Sequence, residues 1–340
     1  MTMRLGAGTR LAILLSGCLL GGGIAACGEG DDEVTLGAET SRSSVDQNRA
    51  KIRQLERRLA RREAREREAN AGAATAGGDG AAGVLVSGAS SSFDALAGSL
   101  GGEIGLVAGH VGGDGAEHLG SLQGGSAWST IKVPMAARVI EDAGGPDAVA
   151  AGTRDLIVRA ITASDNAAAA SLWEQLRSRH GGSSGAATAI GELLATAGDS
   201  RTVVSTVGRD GFSPYGQTEW SLDAQERFMS SLAGGCVAPA AADELRSLMG
   251  QVVSDQRWGL GATDAQAYFK GGWGPGTDGR YLVRQMGVLE RDGGAVAVAI
   301  AALPPDGQLA TGTAALTQIA QWVADNVDWH VAAPRSCGPR

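Results

Sequence analysis

Apolar and polar positions along the chain fall into blocks with different periods. Residues 11–26 are apolar or small throughout, with no charged residue among them. Residues 45–70 are dominated by charge, and only Val45, Ile52, Leu55 and Leu59 mark a short seam at heptad spacing. Residues 71–83 are mostly alanine and glycine, the composition of a flexible linker. From residue 84 onward the pattern is that of a folded domain. A helix is predicted over 91–100. Alternation over 103–111 and 116–122, joined by Gly112-Gly113-Asp114-Gly115, predicts two strands. Helical periodicity then returns in a segment opening near Ser129 and broken at Gly144-Gly145-Pro146, and again over 153–162, 167–176, 185–197, 222–233 and 239–253. Residues 199–215 are irregular, and 216–221 read as the cap of the 222–233 helix. Three strands follow over 266–272, 281–289 and 295–303, the last two joined by Arg291-Asp292-Gly293-Gly294, and an amphipathic helix covers 314–327. Two strands before a helical middle and three after it predict an α/β (α+β) domain whose sheet is assembled from both chain ends, with a helical lobe inserted.

The first block is a secretory signal. Arg4 and Arg10 precede the apolar run, which ends Ile24-Ala25-Ala26-Cys27. These residues resemble a bacterial lipobox, which implies lipidation at Cys27 and an extracytoplasmic, membrane-anchored protein. Leu15-Ser16-Gly17-Cys18 is a second, less favoured candidate, because cleavage there would leave a short apolar core and expose Leu19-Leu20. An uncleaved anchor is the competing reading, but the run is short and glycine-rich against the roughly 20 apolar residues of a span. The chain thus divides into a signal peptide at 1–27, a stalk and linker at 28–83 and a globular domain at 84–340.

Charge separates these parts further. The net charge is −8, yet residues 45–70 hold nine Lys/Arg and five Asp/Glu, so this segment is +4 and the remainder −12. Alternating signs favour a solvated stalk helix, able to form a weak dimer, over a basic strip on anionic lipid or wall polymer. The acidic balance of the rest excludes nucleic acid as a default partner. The cysteines match no zinc pattern, and with Cys18 and Cys27 in the signal, Cys236 and Cys337 are left as a candidate disulfide. The four histidines are scattered and predict neither a metal site nor a cofactor.

Chemistry enters at Ser129-Thr130-Ile131-Lys132. A serine hydroxyl needs a proton acceptor within reach, and residues three apart on a helix share a face, about 4.5 Å apart along the axis. Two more motifs follow in order: Ser164-Asp165-Asn166 between two predicted helices, and Lys270-Gly271-Gly272 on a predicted strand. Together they resemble the three motifs of class A β-lactamases and penicillin-binding proteins, over residues 91 to the C-terminus. The resemblance implies a β-lactamase/transpeptidase-like fold with an antiparallel five-stranded sheet. It implies an exported serine hydrolase or acyltransferase that acts on a β-lactam or a peptidoglycan-stem amide without a cofactor. Ser129 would be the acylated nucleophile, Lys132 the base or relay, Ser164 the donor to the leaving nitrogen, and Asn166 the group orienting Lys132 and the substrate amide. Lys270 would supply positive charge for the substrate carboxylate. Backbone N–H groups of Ser129 and Trp273 would form the oxyanion hole, with Gly272 lining the strand.

Three departures qualify the likeness. Position 271 is glycine where the family carries a carboxylate-binding hydroxyl, for which Arg280 and Arg284 are candidate substitutes against a plain reading of both as exposed surface charges. No glutamate occurs over 201–215, where class A enzymes hold the residue that activates the deacylating water, so slow acyl-enzyme turnover is expected. Glu219 is the nearest replacement, though it reads first as a helix cap. The interval from Ser129 to Ser164 is 35 residues (164 − 129), short for the class, which predicts a more open cleft. The alternative is a non-catalytic envelope protein that keeps the fold to bind wall fragments, or a spacer built around the stalk.

Overall fold

The computed structural model describes residues 83–113 and 115–329. The expected signal peptide, Cys27, the 45–70 stalk and Cys337 lie outside them. Cys236 is disulfide-bonded. No helix among the described residues is long and apolar enough to cross a membrane.

The described residues open with helix α1 (Ala89–Leu100), then strands β1 (Glu103–His110), β2 (Ala116–Gly120) and the short β3 (Gly124–Ser126). A 3₁₀ turn, Trp128–Ile131, leads into α2 (Lys132–Ala143), and α3 (Ala151–Thr162), α4 (Asn166–Arg179) and α5 (Ser183–Thr196) complete the inserted lobe. A long loop ends in a 3₁₀ turn, Tyr215–Gln217, and in β4 (Glu219–Ser221), followed by α6 (Leu222–Ala233) and α7 (Pro239–Met249). Strands β5 (Gln266–Pro275), β6 (Tyr281–Arg291) and β7 (Gly294–Leu303) and helix α8 (Leu309–Asn326) finish the domain.

The main sheet is five-stranded and antiparallel, in the order β2-β1-β7-β6-β5. The two strands read before the helical middle therefore join the three read after it through the β1–β7 pair. Strand β7 shows why this centre holds. One face carries Val296, Val298, Ile300 and Ala302 against α1 and α8, and the other carries Ala297, Ala299 and Ala301 against α6 and the lobe. Bulky β-branched residues fill one layer, while the alanine stripe lets α6 approach closely on the other.

Two bounds shift, α7 ending at Met249 rather than at 253 and β5 running on to Pro275, and three further elements differ from expectation. The nucleophile segment is a 3₁₀ turn followed by an α-helix rather than one helix. Pro134 lies in the first turn of α2, where its missing N–H is harmless, so the α-helix starts at Lys132 and the residues before it close with tighter i→i+3 bonds, as in Thr130 N–H to Ala127 O at 3.1 Å. Residues 219–221 form β4, paired with β3, and the side-chain cap of α6 is Ser221, not Glu219. Helix α8 starts at Leu309 rather than at 314, and includes Gly312, where a Cβ would lie 2.5 Å from Val283 Cγ2.

Candidate active site

Ser129 sits in the middle of the 3₁₀ turn, half-buried, and follows Trp128, whose φ of 50° is in the left-handed region. Only surrounding contacts hold a tryptophan there. Its ring packs edge-on against Phe212 at 5.3 Å, and the Arg209 guanidinium lies over both rings. From below, the turn is fixed by a buried polar chain: Gln225 of α6 donates to Thr130 Oγ1 at 2.7 Å and accepts from Arg284 of β6 at 2.6 Å. Arg284 also donates to Gly125 O at 2.7 Å, Ser126 O at 3.2 Å and Trp220 O at 2.9 Å. This corrects the reading of Arg284 as an exposed charge available to substrate. It is fully buried, held by burial at a pKa of about 9, and ties β3, β4 and α6 together.

The other motifs converge from α4 and β5. Asp165 caps α4, accepting from Ala167 N–H at 2.8 Å and Ala168 N–H at 3.0 Å, and pairs with Arg159 at 2.8 Å. Anchored by this corner, Ser164 takes a left-handed conformation with φ 56°. Lys132 Nζ donates to Ser164 O at 2.6 Å, to Asn166 Oδ1 at 2.8 Å and, weakly, to Ser164 Oγ at 3.4 Å. Lys270 Nζ donates to Ser164 Oγ at 2.9 Å and to Gly271 O at 3.0 Å. Four expected residues, Lys132, Ser164, Asn166 and Lys270, are thereby brought into one network. The Ser129 hydroxyl makes no hydrogen bond among the described residues, so the network ends one step short of it.

Burial sets the protonation of both lysines. Loss of hydration brings Lys132 down from 10.5 to about 7, against the Asp165 charge, which pulls the other way. Lys270 is buried as well and faces Lys132, and both effects hold it well below the ordinary lysine range. An amine that is partly neutral at pH 7 can accept a proton, which a normal surface lysine cannot.

Strand β5 closes the other side. At Gly272 a Cβ would stand 2.9 Å from Ser129 N and from Ala127 O, so only glycine lets the strand come this near the Ser129 backbone. Trp273 follows it, half-buried. Arg280 does not reach in as a substitute cation. It sits exposed in the β5–β6 turn, bonded to Asp278 at 2.7 Å and packed on Gly307. Glu219 is exposed on β4 and accepts from Ser126 Oγ at 3.1 Å. In the loop before it, Asp199 accepts from the Trp220 indole and from the backbone of Arg201 and Thr202. Among the described residues no cluster of three or more His, Cys, Asp or Glu could hold a metal ion.

Gln225, Thr130 and the left-handed Trp128 escaped sequence reading. A polar residue on a helix and a non-glycine at positive φ leave no distinguishing pattern; only the packing around them reveals their task.

Arranged this way, the fold is that of β-lactamases and penicillin-binding proteins. A β-lactamase from Xanthomonas campestris pv. campestris is 16% identical, with a TM-score of 0.56 over 71% of this chain and 99% of that one. A β-lactamase from Streptosporangium roseum is 17% identical, with a TM-score of 0.54 over 70% and 97%. The structure of PBP-A is 19% identical, with a TM-score of 0.54 over 71% and 96%. At such identities the likeness establishes the fold. Curated protein sequences yield no match. The profile of the Beta-lactamase enzyme family matches residues 144–327, more than half of the 340-residue chain, and the chain belongs to that family. The matched segment contains Ser164, Asn166 and Lys270 and begins beyond Ser129 and Lys132.

Proposed function

We propose that the protein is an extracytoplasmic serine hydrolase or acyltransferase, lipid-anchored at Cys27, that forms an acyl-enzyme on Ser129 with a β-lactam or a peptidoglycan-stem-like amide. The observation that carries this reading is Ser164 Oγ held between Lys132 Nζ and Lys270 Nζ. Neutral Lys132 takes the Ser129 hydroxyl proton as the Oγ–C bond forms. When the C–N bond breaks, the proton passes through Ser164 Oγ to the leaving nitrogen. The Ser129 and Trp273 backbone N–H groups would bind the oxyanion, for which the close fit of Gly272 against Ser129 N is the structural support. Water, or an acceptor amine, then releases the acyl group. No glutamate lies between Asp199 and Gln217 to activate that water, which supports slow deacylation.

The test is fluorescent penicillin followed by intact-mass measurement. Wild type is expected to gain one adduct that outlasts removal of free label, and Ser129→Ala none. Absence of an adduct at high probe concentration, with stoichiometric ligand binding unchanged in Ser129→Ala, overturns the catalytic reading in favour of a wall-binding protein.

A further inference from the structure

Trp128 precedes the nucleophile, and its ring is the meeting point of three segments. Its left-handed backbone, with φ 50°, costs a residue that carries a Cβ free energy, which the surrounding contacts must offset. The indole N–H has no acceptor among the described residues, so packing alone holds the ring. Strand β5 supplies one contact. A Cβ at Gly274 would lie 2.5 Å from Trp128 Cζ2 and Cζ3, so only glycine lets the strand run over the indole. The loop before β4 supplies the other, where Phe212 meets the ring edge to face at 5.3 Å.

Arg209 joins these contacts. Its guanidinium carbon lies 4.7 Å from the centre of the Phe212 ring and 5.6 Å from that of Trp128. The edge of the same group donates through Nε to Gln217 Oε1 at 2.7 Å and through Nη2 to Pro275 O at 2.6 Å. Gln217 belongs to the 3₁₀ turn beside the Ser129 turn, where Ala127 N–H donates to Thr218 O at 2.7 Å and a Cβ at Gly216 would touch Trp128 Cα at 3.8 Å. Two rings and two neutral oxygens suit a planar fork and not an ammonium.

These contacts bear on the oxyanion. The N–H groups assigned to it, of Ser129 and Trp273, come from the Ser129 turn and from β5, and such donors act only when both lie about 2.7 to 3.1 Å from the oxygen. Trp128 is the residue before the first, and Gly274 and Pro275 are the two residues after the second. Arg209 therefore touches both sides of the gap. The polar chain of Gln225 and Arg284 holds Thr130, Gly125 and Ser126 from beneath, but none of its side-chain bonds reaches β5. The loop before β4 supplies that tie.

We infer that Arg209 is a positioning residue for the oxyanion hole: through Trp128 and Pro275 O it sets the separation of the Ser129 and Trp273 N–H groups. The inference rests on Ser129 being the nucleophile. The loop, which holds no glutamate from 201 to 215, serves catalysis as a clasp rather than as a base.

Phenylboronic acid tests this on the full chain. It adds to Ser129 Oγ as the hydroxyl proton passes to Lys132; no group leaves, and the tetrahedral boronate presents an oxygen to the two N–H groups. Arg209→Met is expected to weaken boronic acid affinity and to lower the limiting rate of penicillin acylation by similar factors, about tenfold or more each. The half-saturating penicillin concentration and the midpoint of the pH profile should stay as in wild type. Unchanged affinity and rate, a loss in only one of them, a loss confined to half-saturation, or a shifted midpoint overturns the inference while leaving Ser129 as nucleophile. Should Arg209→Met melt too early for assay, Phe212→Leu removes one ring from the stack and should show the same paired loss, smaller in size; wild-type values there overturn it. Where wild type forms no boronate, amide exchange decides instead. Peptides covering 124–133 and 271–276 should exchange about tenfold faster in Arg209→Met while those of α8 keep wild-type rates, and unchanged exchange in either peptide overturns the clasp. Where no penicillin adduct forms either, the catalytic reading fails, and the same exchange measurement still decides whether Arg209 holds the two segments.

Discussion

Around the Ser129 turn, Lys132 and Lys270 are buried, Ser164 is half-buried and Asn166 exposed, and hydrogen bonds of 2.6 to 3.4 Å join the four, whereas the next position of β5, Gly271, borders the indoles of Trp258 and Trp273. Both draw on the same strand, since Lys270 and Gly271 are neighbours on β5, and the Lys270 side chain leaves the face opposite to the one a Cβ at Gly271 would take. A single-residue step along an edge strand therefore separates proton handling from aromatic packing. The polar wall tolerates little change, because its parts share protons and charge. The indole side can be rebuilt without touching them.

The largest break in this comparison is at the base of the polar wall. Lys132→Met is expected to lower the acylation rate by roughly 10²- to 10⁴-fold, the usual contribution of a positioned base, measured as adduct formation over time by mass spectrometry. The same lysine fixes the pH response. With its pKa brought down to about 7, the neutral amine that accepts the proton predominates above that pH, so acylation should rise with pH through about 7 and then level. Stability carries the matching sign. The folded state binds fewer protons than the unfolded between about 7 and 10.5, so the stabilising contribution is fully present above 10.5 and is lost as pH falls through about 7. In Lys132→Met the dependence of denaturant midpoints across this range should weaken, leaving the part that Lys270 contributes. A rate independent of pH in the wild type would remove Lys132 as the base.

Next in size is the support beneath the Ser129 turn. Arg284→Met strips donors from Trp220 O and Gln225 Oε1 in the interior and from Gly125 O and Ser126 O in the half-buried β3. Unpaired buried acceptors make the expected loss on the order of 3 kcal/mol, read as a shift in denaturant midpoint. If Arg284 instead bound substrate, the variant would keep its stability and raise KM alone.

Much of the architecture is legible in the sequence because it rests on local patterns. The apolar runs over 281–289 and 295–303, the Arg291-Asp292-Gly293-Gly294 turn between them and the order of the three motifs depend on neighbours in sequence, and the five-stranded sheet with its inserted lobe follows. What could not be read depends on contacts between distant segments. Arg284 looks the same in sequence whether it faces solvent or bonds β3 and β4, and its 0% exposure comes from α6 crossing above it. Trp258 gives no hint that it lies against Gly271, since the bond fixing it comes from Gln285 on another strand. Periodicity does not distinguish a 3₁₀ start from an α start over four residues, so the Ser129 turn looks α-helical in sequence.

The smallest prediction separates charge from geometry within the polar wall itself. Asp165 has two tasks in the structure: its oxygen caps α4, and its charge raises the Lys132 pKa against burial. Asn caps a helix about as well as Asp, so Asp165→Asn keeps the corner that places Ser164 and removes only the charge. The exposed pair with Arg159 is lost as well, but such pairs contribute about 0 to 1 kcal/mol, and the melting temperature should scarcely move. Without the Asp165 charge the ammonium form of Lys132 loses its counterion, its pKa falls further, and the acid limb of the acylation profile moves to lower pH. Trp258 and Trp273 have no ionisable group that such a change could reach, and Arg209 holds β5 at Pro275, so the factor by which Arg209→Met slows acylation should be the same with and without Asp165→Asn while the profile shifts. A change in that factor would mean that proton handling and the placement of β5 are coupled through charge, and that the separation along β5 is less complete than its alternating side chains imply.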